Sequence, residues 1–199
     1  MPKTVDKEEQ RRQIGAALLQ LVADRGLDEV SVRTVAAATG RSPGAVQKYF
    51  RTKDEMLTFA AELAGERIEH RMAEVNTALP LRQALRDLIL TTLPVDAERR
   101  AEATAQLSFA VHAAHHPGLA TIRQQVDRDI HQALAAWLER AGHEANAAVV
   151  ADAVIALSDG LALRMLYAPQ EQEHLLTVLG RALDTLIPAT HGTTPRLRE

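Results

Sequence analysis

The sequence predicts an all-α protein, and three observations support that class. The 199 residues are 46% hydrophobic, and the apolar side chains recur at intervals of three and four through most of the chain. Alternating runs of β-branched residues, which indicate strands, are almost absent. Glycine and proline fall mainly between the periodic segments, where they end helices. We expect about nine helices, divided between a small N-terminal domain and a larger C-terminal domain.

The N-terminal quarter predicts three helices with clear ends. Gly26 follows the first periodic segment, as glycine commonly follows a helix C-terminus. Ser31 is placed to cap the second helix, which Gly40 ends. Ser42 stands before Pro43, an N-cap followed by proline at the first helical position. These helices are expected over residues 7–26, 31–39 and 42–50.

Six further helices follow from similar end signals. Thr52 and Glu55 have the spacing of a capping box, so the fourth helix should begin at Lys53. Single prolines and glycines separate the remaining periodic segments. These helices are expected over residues 53–79, 81–93, 96–115, 118–141, 144–167 and 171–187. Residues 189–199 are expected to form a flexible tail.

Composition limits the class of protein and its compartment. The chain has no cysteine, which excludes disulfide bridges, thiolate metal sites and cysteine nucleophiles. The first 13 residues are mostly polar and lack the apolar core of a signal peptide. The longest apolar stretch, residues 147–163, is interrupted by Asp152 and Asp159, which argues against a membrane span. We therefore expect a cytoplasmic protein that contacts no membrane.

Charge is divided unevenly along the chain, although the net charge is only −3. Residues 1–53 carry ten Lys and Arg against six Asp and Glu, whereas the remainder is acidic. A local basic surface is enough for binding to a polyanion, so nucleic acid stays a candidate partner. The basic arm at the N-terminus is either a solvated helix end or a minor-groove contact. Its cations are Lys3, Lys7, Arg11 and Arg12.

The third helix has one apolar face and one polar face. Val46 and Phe50 lie four residues apart and are expected to face inward. The same geometry turns a second face outward, with Tyr49 near its edge. That face consists of Pro43, Gly44, Gln47 and Lys48. A short helix with a polar face fits a DNA major groove about 12 Å wide, and glutamine can pair with the edge of adenine.

Three segments together resemble the DNA-binding domain of the tetracycline-repressor (TetR) family of transcriptional regulators. They are SVRTVAAATG at 31–40, SPGAVQKYF at 42–50 and TKDEML at 52–57. The resemblance covers residues 7–67, with the helix-turn-helix at about 31–50, and implies DNA contacts at the matching positions. Those positions are Ser31, Arg33, Ser42, Gly44, Gln47, Tyr49 and Lys53. Pro43 and Lys48 on the same outward surface complete the expected DNA-binding set.

The sequence departs from the family pattern at three positions of the helix-turn-helix. The residue after the turn glycine is usually aliphatic, but here it is Arg41, which either leaves the turn exposed or adds a phosphate contact. Ala45 and Gln47 stand where a small hydroxyl residue and an aromatic residue are frequent. The base preference of the family therefore does not transfer to this chain.

The rest of the chain weakly resembles the C-terminal domains of a TetR subgroup that includes choline-pathway repressors. The resemblance is carried by HHPGLATIRQQ at 115–125 and ALSDGLALRMLYAP at 156–169. It implies that residues 68–188 bind a small-molecule effector and pair two subunits. The whole chain is then a homodimeric repressor that binds a palindromic operator and is released by its effector. Phe109, His112 and Arg164 are the expected lining of the effector pocket.

The last helix is expected to contribute to the dimer interface through a narrow apolar stripe. The stripe consists of Leu175, Leu179, Leu183 and Leu186, spaced by four, four and three residues. Two such helices from each subunit would form a four-helix interface. The alternative is that the stripe packs inside its own subunit.

Histidines and carboxylates in the C-terminal domain leave an alternative open, in which the chain is a metal-binding protein or an enzyme. His112 and His116 share one helix face, but a metal site needs a further ligand such as His131 or an aspartate brought in by the fold. Asp152 and Asp159 share a face of the penultimate helix and could act as an acid–base pair if they were close. We expect no cofactor, no metal and no catalytic residue.

Overall fold

The computed structural model describes the backbone of residues 3–188 and the side chains from residue 7 onward. Within that range the chain forms nine α-helices, two short 3-10 helices and no β-strand, which confirms the predicted all-α class. The α-helices are α1 (Lys3–Arg25), α2 (Val32–Ala38), α3 (Pro43–Gln47), α4 (Lys53–Ala73), α5 (Leu81–Leu90), α6 (Ala97–Ala113), α7 (Pro117–Arg140), α8 (Ala147–Tyr167) and α9 (Gln172–Leu186). The 3-10 helices are Leu27–Glu29 and Pro169–Glu171. The predicted tail at 189–199 lies outside the described residues.

α4 and α5 end several residues earlier than the sequence pattern predicts. α4 stops at Ala73 rather than near residue 79, and the side chain of Asn76 then accepts a hydrogen bond from the amide two residues further on. This interaction forms a turn in place of another helical turn. α5 stops at Leu90, where Thr91 and Thr92 donate their hydroxyl groups to carbonyls three residues back. Such bonds compete with the helical ladder.

The buried side chains form two hydrophobic cores. The first lies among α1 to α4 and is closed by the C-terminal half of α6, which contributes Ala105, Phe109 and Ala113. The second lies among α5, α7, α8 and α9. α6 also packs against α7 and α8. It therefore completes the N-terminal core while it remains in contact with the C-terminal helices.

α1 and α4 pack closely at Gly15. A Cβ atom at this position would lie 2.6 Å from Cε1 of Phe59, which is shorter than any ordinary van der Waals contact. The guanidinium of Arg11 lies 4.3 Å from the centre of the same ring, in cation–π geometry. Phe59 is thereby held between α1 and the core, and α4 is fixed against α1.

A buried carboxylate connects α4 to α6. Glu102 of α6 is 1% exposed and forms an ion pair with Arg71 of α4. Arg67 approaches the same carboxylate at 3.6 Å, and Arg71 also donates to the carbonyl of Thr91 at the end of α5. Because a buried charge is costly unless it is paired, these arginines hold the three helices in one arrangement.

Candidate nucleic-acid interface

The N-termini of α2 and α3 are set by side-chain caps. Ser31 Oγ accepts a hydrogen bond from Thr34 N at 3.2 Å, and Thr34 Oγ1 accepts one from Ser31 N at 2.9 Å. This reciprocal pair is a capping box in which threonine takes the place usually held by glutamate. Ser42 Oγ caps α3 by accepting from Ala45 N at 3.2 Å, with Pro43 at the first helical position. Both expected N-caps are therefore present.

The turn between α2 and α3 depends on Gly40. Its φ is +62°, in the left-handed region that favours glycine. Arg41 N donates to Ala36 O at 2.9 Å and Gly40 N donates to Ala37 O at 3.3 Å, the two bonds of a Schellman motif. The motif ends α2 and turns the chain directly into α3, as the sequence analysis expected.

α3 buries one face and leaves the other in solvent. Val46 and Phe50 are 0% exposed, and they pack in the N-terminal core with Val35 and Ala36 of α2. Both inward assignments are confirmed. α3 itself is only five residues long, and the helical pattern expected to run to residue 50 ends in a turn at Lys48 and Tyr49.

Most of the expected DNA-contacting side chains lie on the solvent side of this helix pair. The exposed members are Ser31, Arg33, Ser42, Pro43, Gly44, Gln47 and Lys48, and Lys53 is half-buried. Arg51, which is not among the predicted contacts, is exposed between α3 and α4 and adds a cation near this surface. Its only signal in the sequence is its position directly after the buried Phe50.

Tyr49 differs from the expectation of an outward contact. The side chain is half-buried against the N-terminal core, and its hydroxyl donates to Gln10 Oε1 of α1 at 2.6 Å. A phosphate contact from this hydroxyl would require that hydrogen bond to be exchanged. Arg41 also turns toward α1, where its guanidinium donates to Gln10 at 3.3 Å and Gln13 at 3.2 Å. Arg41 therefore packs against α1, while Gly40 in the turn stays exposed.

The start of α4 is also capped, although one bond differs from the expected capping box. Thr52 Oγ1 accepts from Glu55 N at 3.0 Å. Glu55 Oε2 reaches past Thr52 and accepts from Arg51 N at 2.8 Å. These bonds hold Lys53 at the first position of α4, beside α3, where a phosphate of a bound duplex could be contacted.

Part of the basic N-terminal arm packs on the protein itself. Arg12 donates to Glu66 Oε2 of α4 at 2.7 Å, and this hydrogen-bonded carboxylate raises the pKa of the Arg12 guanidinium. Arg11 lies over the rings of Phe50 and Phe59. The side chain of Lys3 lies outside the described side chains. Arg11 and Arg12 thus join α1 to α4 rather than extend toward a partner.

The three expected effector-pocket residues have different surroundings in the structure. Phe109 is 5% exposed in the N-terminal core, and His112 Nε2 lies 3.1 Å from Asp54 Oδ1. Arg164 pairs instead with Glu171 at 2.9 Å. The adjoining turn of α8 meets Arg100, whose guanidinium donates to the carbonyls of residues 165 and 166. Arg100 precedes Phe109 by nine residues of α6, about 13 Å along the helix axis. An effector pocket lined by all three residues stays a prediction.

The leucine stripe of α9 packs inside its own subunit. Leu175 and Leu179 are 0% exposed and Leu183 is 1% exposed, all within the C-terminal core, and Leu186 is half-buried there. A partner subunit cannot reach the first three side chains while this core is intact. The amphipathic pattern correctly indicated a buried face, but an apolar stripe does not specify which surface covers it.

α8 presents a different apolar stripe to solvent. Val149 is 71% exposed, Leu163 is 51% exposed and Tyr167 is 68% exposed. Ala156 and Gly160 lie between them on the same face and are also exposed. No helix among residues 3–188 has the length and apolar character needed to cross a membrane.

The two aspartates of α8 do not form an acid–base pair. They are seven residues apart, about 10 Å along the helix axis, which is too far for them to share a proton. Asp152 lies 3.4 Å from His131. Asp159 is exposed on α8, but partial desolvation by neighbouring atoms raises the pKa of its carboxyl, Arg123 lowers this pKa and Asp127 raises it.

Comparison with known proteins gives two matching family models. Residues 14–58 match the bacterial regulatory proteins of the tetR family. Residues 80–188 match the C-terminal domain of the BetI-type transcriptional repressors. The second model alone spans more than half of the chain.

Relatives match over most of their length. The transcriptional regulator PksA of Bacillus subtilis is 30% identical over 174 residues, which cover 85% of this chain and 84% of that protein. BetI of Pectobacterium atrosepticum is 27% identical, covering 82% of this chain and 86% of that protein.

Solved structures have the same architecture. A transcriptional regulator from Rhodococcus superposes with a TM-score of 0.78 at 35% identity, covering 88% of this chain and 95% of that one. A regulator from Saccharomonospora viridis, solved in complex with choline, superposes with a TM-score of 0.77 at 22% identity, covering 89% and 96%. The second likeness concerns the fold alone. The chain therefore belongs to the TetR family of bacterial transcriptional regulators, and its C-terminal half is of the BetI-repressor type.

Proposed function

We propose that the chain is a cytoplasmic, homodimeric repressor that binds a near-palindromic DNA operator and leaves it when a small-molecule effector binds. The observation that carries the proposal is the division of α3 into two faces. Val46 and Phe50 anchor it fully in the core, while Gln47 and Lys48 have no core partners and remain exposed. A rigid helix with a free polar face is what recognition in a major groove requires.

The exposed residues divide into two roles. Gln47 contacts base edges, because its amide carries an acceptor and a donor that pair with the N6 amino group and N7 of adenine in the major groove. The other side chains, with the backbone amides at the start of α3, contact phosphates and fix the register on the duplex. These side chains are Ser31, Arg33, Ser42, Lys48 and Lys53. Pro43 and Gly44 allow the start of α3 to approach the DNA closely because they carry little side-chain bulk.

Two subunits pair through the exposed face of α8, together with the outer side of α9. Val149, Leu163 and Tyr167 supply the apolar contact, and Gly160 between them lets the helices approach. The two α3 helices are then related by a two-fold axis. Their half-sites lie about one helical turn apart, roughly 34–36 Å, or a multiple of that spacing.

The domains divide as residues 7–67, which bind DNA, and residues 68–188, which bind the effector and the second subunit. α6 gives the mechanism of release, because its C-terminal half fills the core beneath α1 and α4. An effector that binds only one arrangement of α6 increases the population of that arrangement. The distance between the two N-terminal domains of the dimer then changes from one that fits the operator to one that does not. The chain does no chemistry on the effector.

The test is a titration of purified protein with labelled duplexes that carry candidate inverted repeats, starting with those upstream of its own reading frame. We expect salt-dependent binding of one dimer per repeat, weakened when the inverted symmetry is destroyed at constant base composition. The matched control is a duplex with the same half-sites moved apart by half a helical turn. Equal affinity for the intact, scrambled and respaced duplexes would refute operator recognition.

A further inference from the structure

Three side chains able to bind a metal meet where α4 begins and where α6 turns into α7. Asp54 lies in the first turn of α4, His112 in the last turn of α6, and His116 is the N-cap residue of α7. One ligand atom from each residue lies within 4.8 Å of the other two. Asp54 and His112 are 58 residues apart in sequence, so only the fold assembles this group.

Two of the ligand atoms already have a spacing suited to zinc. His112 Nε2 and Asp54 Oδ1 are 3.1 Å apart. Tetrahedral zinc with bonds of about 2.0–2.1 Å places neighbouring ligand atoms about 3.3 Å from each other. An ion can therefore enter between them with little movement of either helix. The Asp54 side chain is 52% exposed, which leaves the site open to solvent.

The third residue is oriented by a backbone carbonyl. His116 Nδ1 lies 2.7 Å from the carbonyl oxygen of His112. Because a carbonyl only accepts hydrogen bonds, Nδ1 carries the proton and Nε2 keeps its lone pair in the neutral ring. Metal-binding histidines commonly donate their second N–H in this way, which fixes the ring and its tautomer. The two imidazole rings stack with centroids 4.0 Å apart, which keeps them on one side of the corner.

We propose that Asp54, His112 and His116 form a binding site for a divalent transition-metal ion of the zinc type. Two imidazoles and one carboxylate suit Zn²⁺, whereas Mg²⁺ prefers a set of oxygen ligands. A water molecule completes the fourth position. To bind the ion, His112 must present the lone pair of Nε2, which the neutral ring does when its proton lies on Nδ1. The ion joins α4 to the α6–α7 corner. This metal site can be tested whether or not the chain binds DNA.

The experiment is a calorimetric titration of Zn²⁺ into untagged full-length protein that has been stripped with a chelator. We expect a saturable binding heat that corresponds to one ion per protomer. Asp54→Asn and His116→Gln should each weaken the affinity by at least about tenfold. His115→Gln, which changes the exposed neighbouring histidine outside the cluster, is the matched control and should bind as the wild type does.

Melting temperatures separate loss of a ligand from loss of the fold. The metal-free variants should melt close to the metal-free wild type, and Zn²⁺ should raise the melting temperature of the wild type and of His115→Gln only. Mg²⁺ at the same concentrations should give no saturable binding heat and should not raise the melting temperature. Wild-type protein without saturable Zn²⁺ binding would overturn the proposal, as would binding that Asp54→Asn and His116→Gln both retain in full.

Discussion

Arg71 of α4 forms an ion pair with Glu102 of α6, a carboxylate that is only 1% exposed. Glu98 lies one turn earlier on α6 and pairs with Arg67 at 3.2 Å, but its side chain is 64% exposed. The two glutamates therefore face the same helix and share Arg67 as a neighbour. They differ in their exposure to water and in Arg71, which pairs with Glu102 alone, and they provide a pair of variants for comparison.

Glu102→Gln should lower the free energy of unfolding by about 2 kcal/mol or more, because it leaves arginines partly buried without their counter-charge. Glu98→Gln should change it by less than about 1 kcal/mol, since an exposed ion pair contributes little. Urea denaturation of both variants would measure the difference. Equal losses of unfolding free energy in the two variants would mean that the buried ion pairs of Glu102 stabilise the fold no more than the exposed pair of Glu98 does.

Gln47 and Lys53 are expected to affect DNA binding differently. Gln47→Ala should weaken operator affinity by about 1–3 kcal/mol and relax the base preference at one position of each half-site. Lys53→Ala should weaken all duplexes alike and reduce the salt slope by about one unit. Fluorescence anisotropy against single-base operator variants at several salt concentrations would show both effects.

The control for both changes is Gln132→Ala, which alters an exposed glutamine of α7 away from α3. It should leave the affinity and the salt slope unchanged. A Gln47→Ala protein with full base discrimination would remove Gln47 from the group of base-contacting residues.

Gly15→Ala should destabilise the packing of α1 on α4. The added methyl group would lie 2.6 Å from the Phe59 ring, so side chains or backbone must shift at a cost of about 1–3 kcal/mol. Gly118→Ala is the matched control, because its Cβ would meet nothing within 4 Å in the first turn of α7. That control should be neutral or slightly stabilising. Thermal unfolding monitored by circular dichroism separates the two outcomes.

Asp159 should make stability depend on pH. Partial desolvation raises the pKa of this surface carboxyl, so the folded chain holds its proton more tightly than the unfolded chain does. Stability is then lost as the pH rises from the ordinary carboxyl range, about 3.9, through the raised folded value. Asp159→Asn should therefore raise the melting temperature at neutral pH, and the gain should fade toward about pH 4.

Asp152→Asn is the comparison for that prediction, because it removes another exposed carboxylate from the same helix, one that lies 3.4 Å from His131. Asp152→Asn should not raise the melting temperature at neutral pH. If Asp159→Asn raised the melting temperature by the same amount across the acidic range, the proposed rise in the pKa of Asp159 would be contradicted.

Leu163 is expected to lie in the subunit interface. Leu163→Glu should raise the dimer dissociation constant by at least about tenfold, because it buries an unpaired charge in the apolar contact. Val111→Glu places the same charge at a position on α6 that is 69% exposed, and it should leave the dimer intact. Sedimentation at several concentrations would compare them. A Leu163→Glu protein that stays dimeric at every concentration would exclude this face of α8.

Local features of the N-terminal domain were predictable from the sequence because they depend on neighbouring residues. Caps at Ser31, Ser42 and Thr52, and the left-handed turn at Gly40, involve atoms within five positions of each other. The inward direction of Val46 and Phe50 follows from helical spacing alone. Such signals also fixed the number of helices and most of their ends.

Contacts between distant segments were not predictable in the same way. The bond from Tyr49 to Gln10 spans 39 residues, and the pair formed by Asp54 with His112 spans 58. Periodicity indicated that Leu175 and Leu179 face something apolar, but it could not distinguish the chain's own core from a second subunit. Which helix faces which is decided by packing of the whole chain, so these interactions appear only once the fold is known.

The DNA-reading end of this protein cannot be detached cleanly from the rest. A chain truncated after α4 would lose Ala105, Phe109 and Ala113, and the apolar surface that they cover would face water. A chimaera that borrows this end must therefore bring the last turns of α6 with it. The part to be grafted is therefore defined by contacts in the fold, and no single cut in the sequence isolates it.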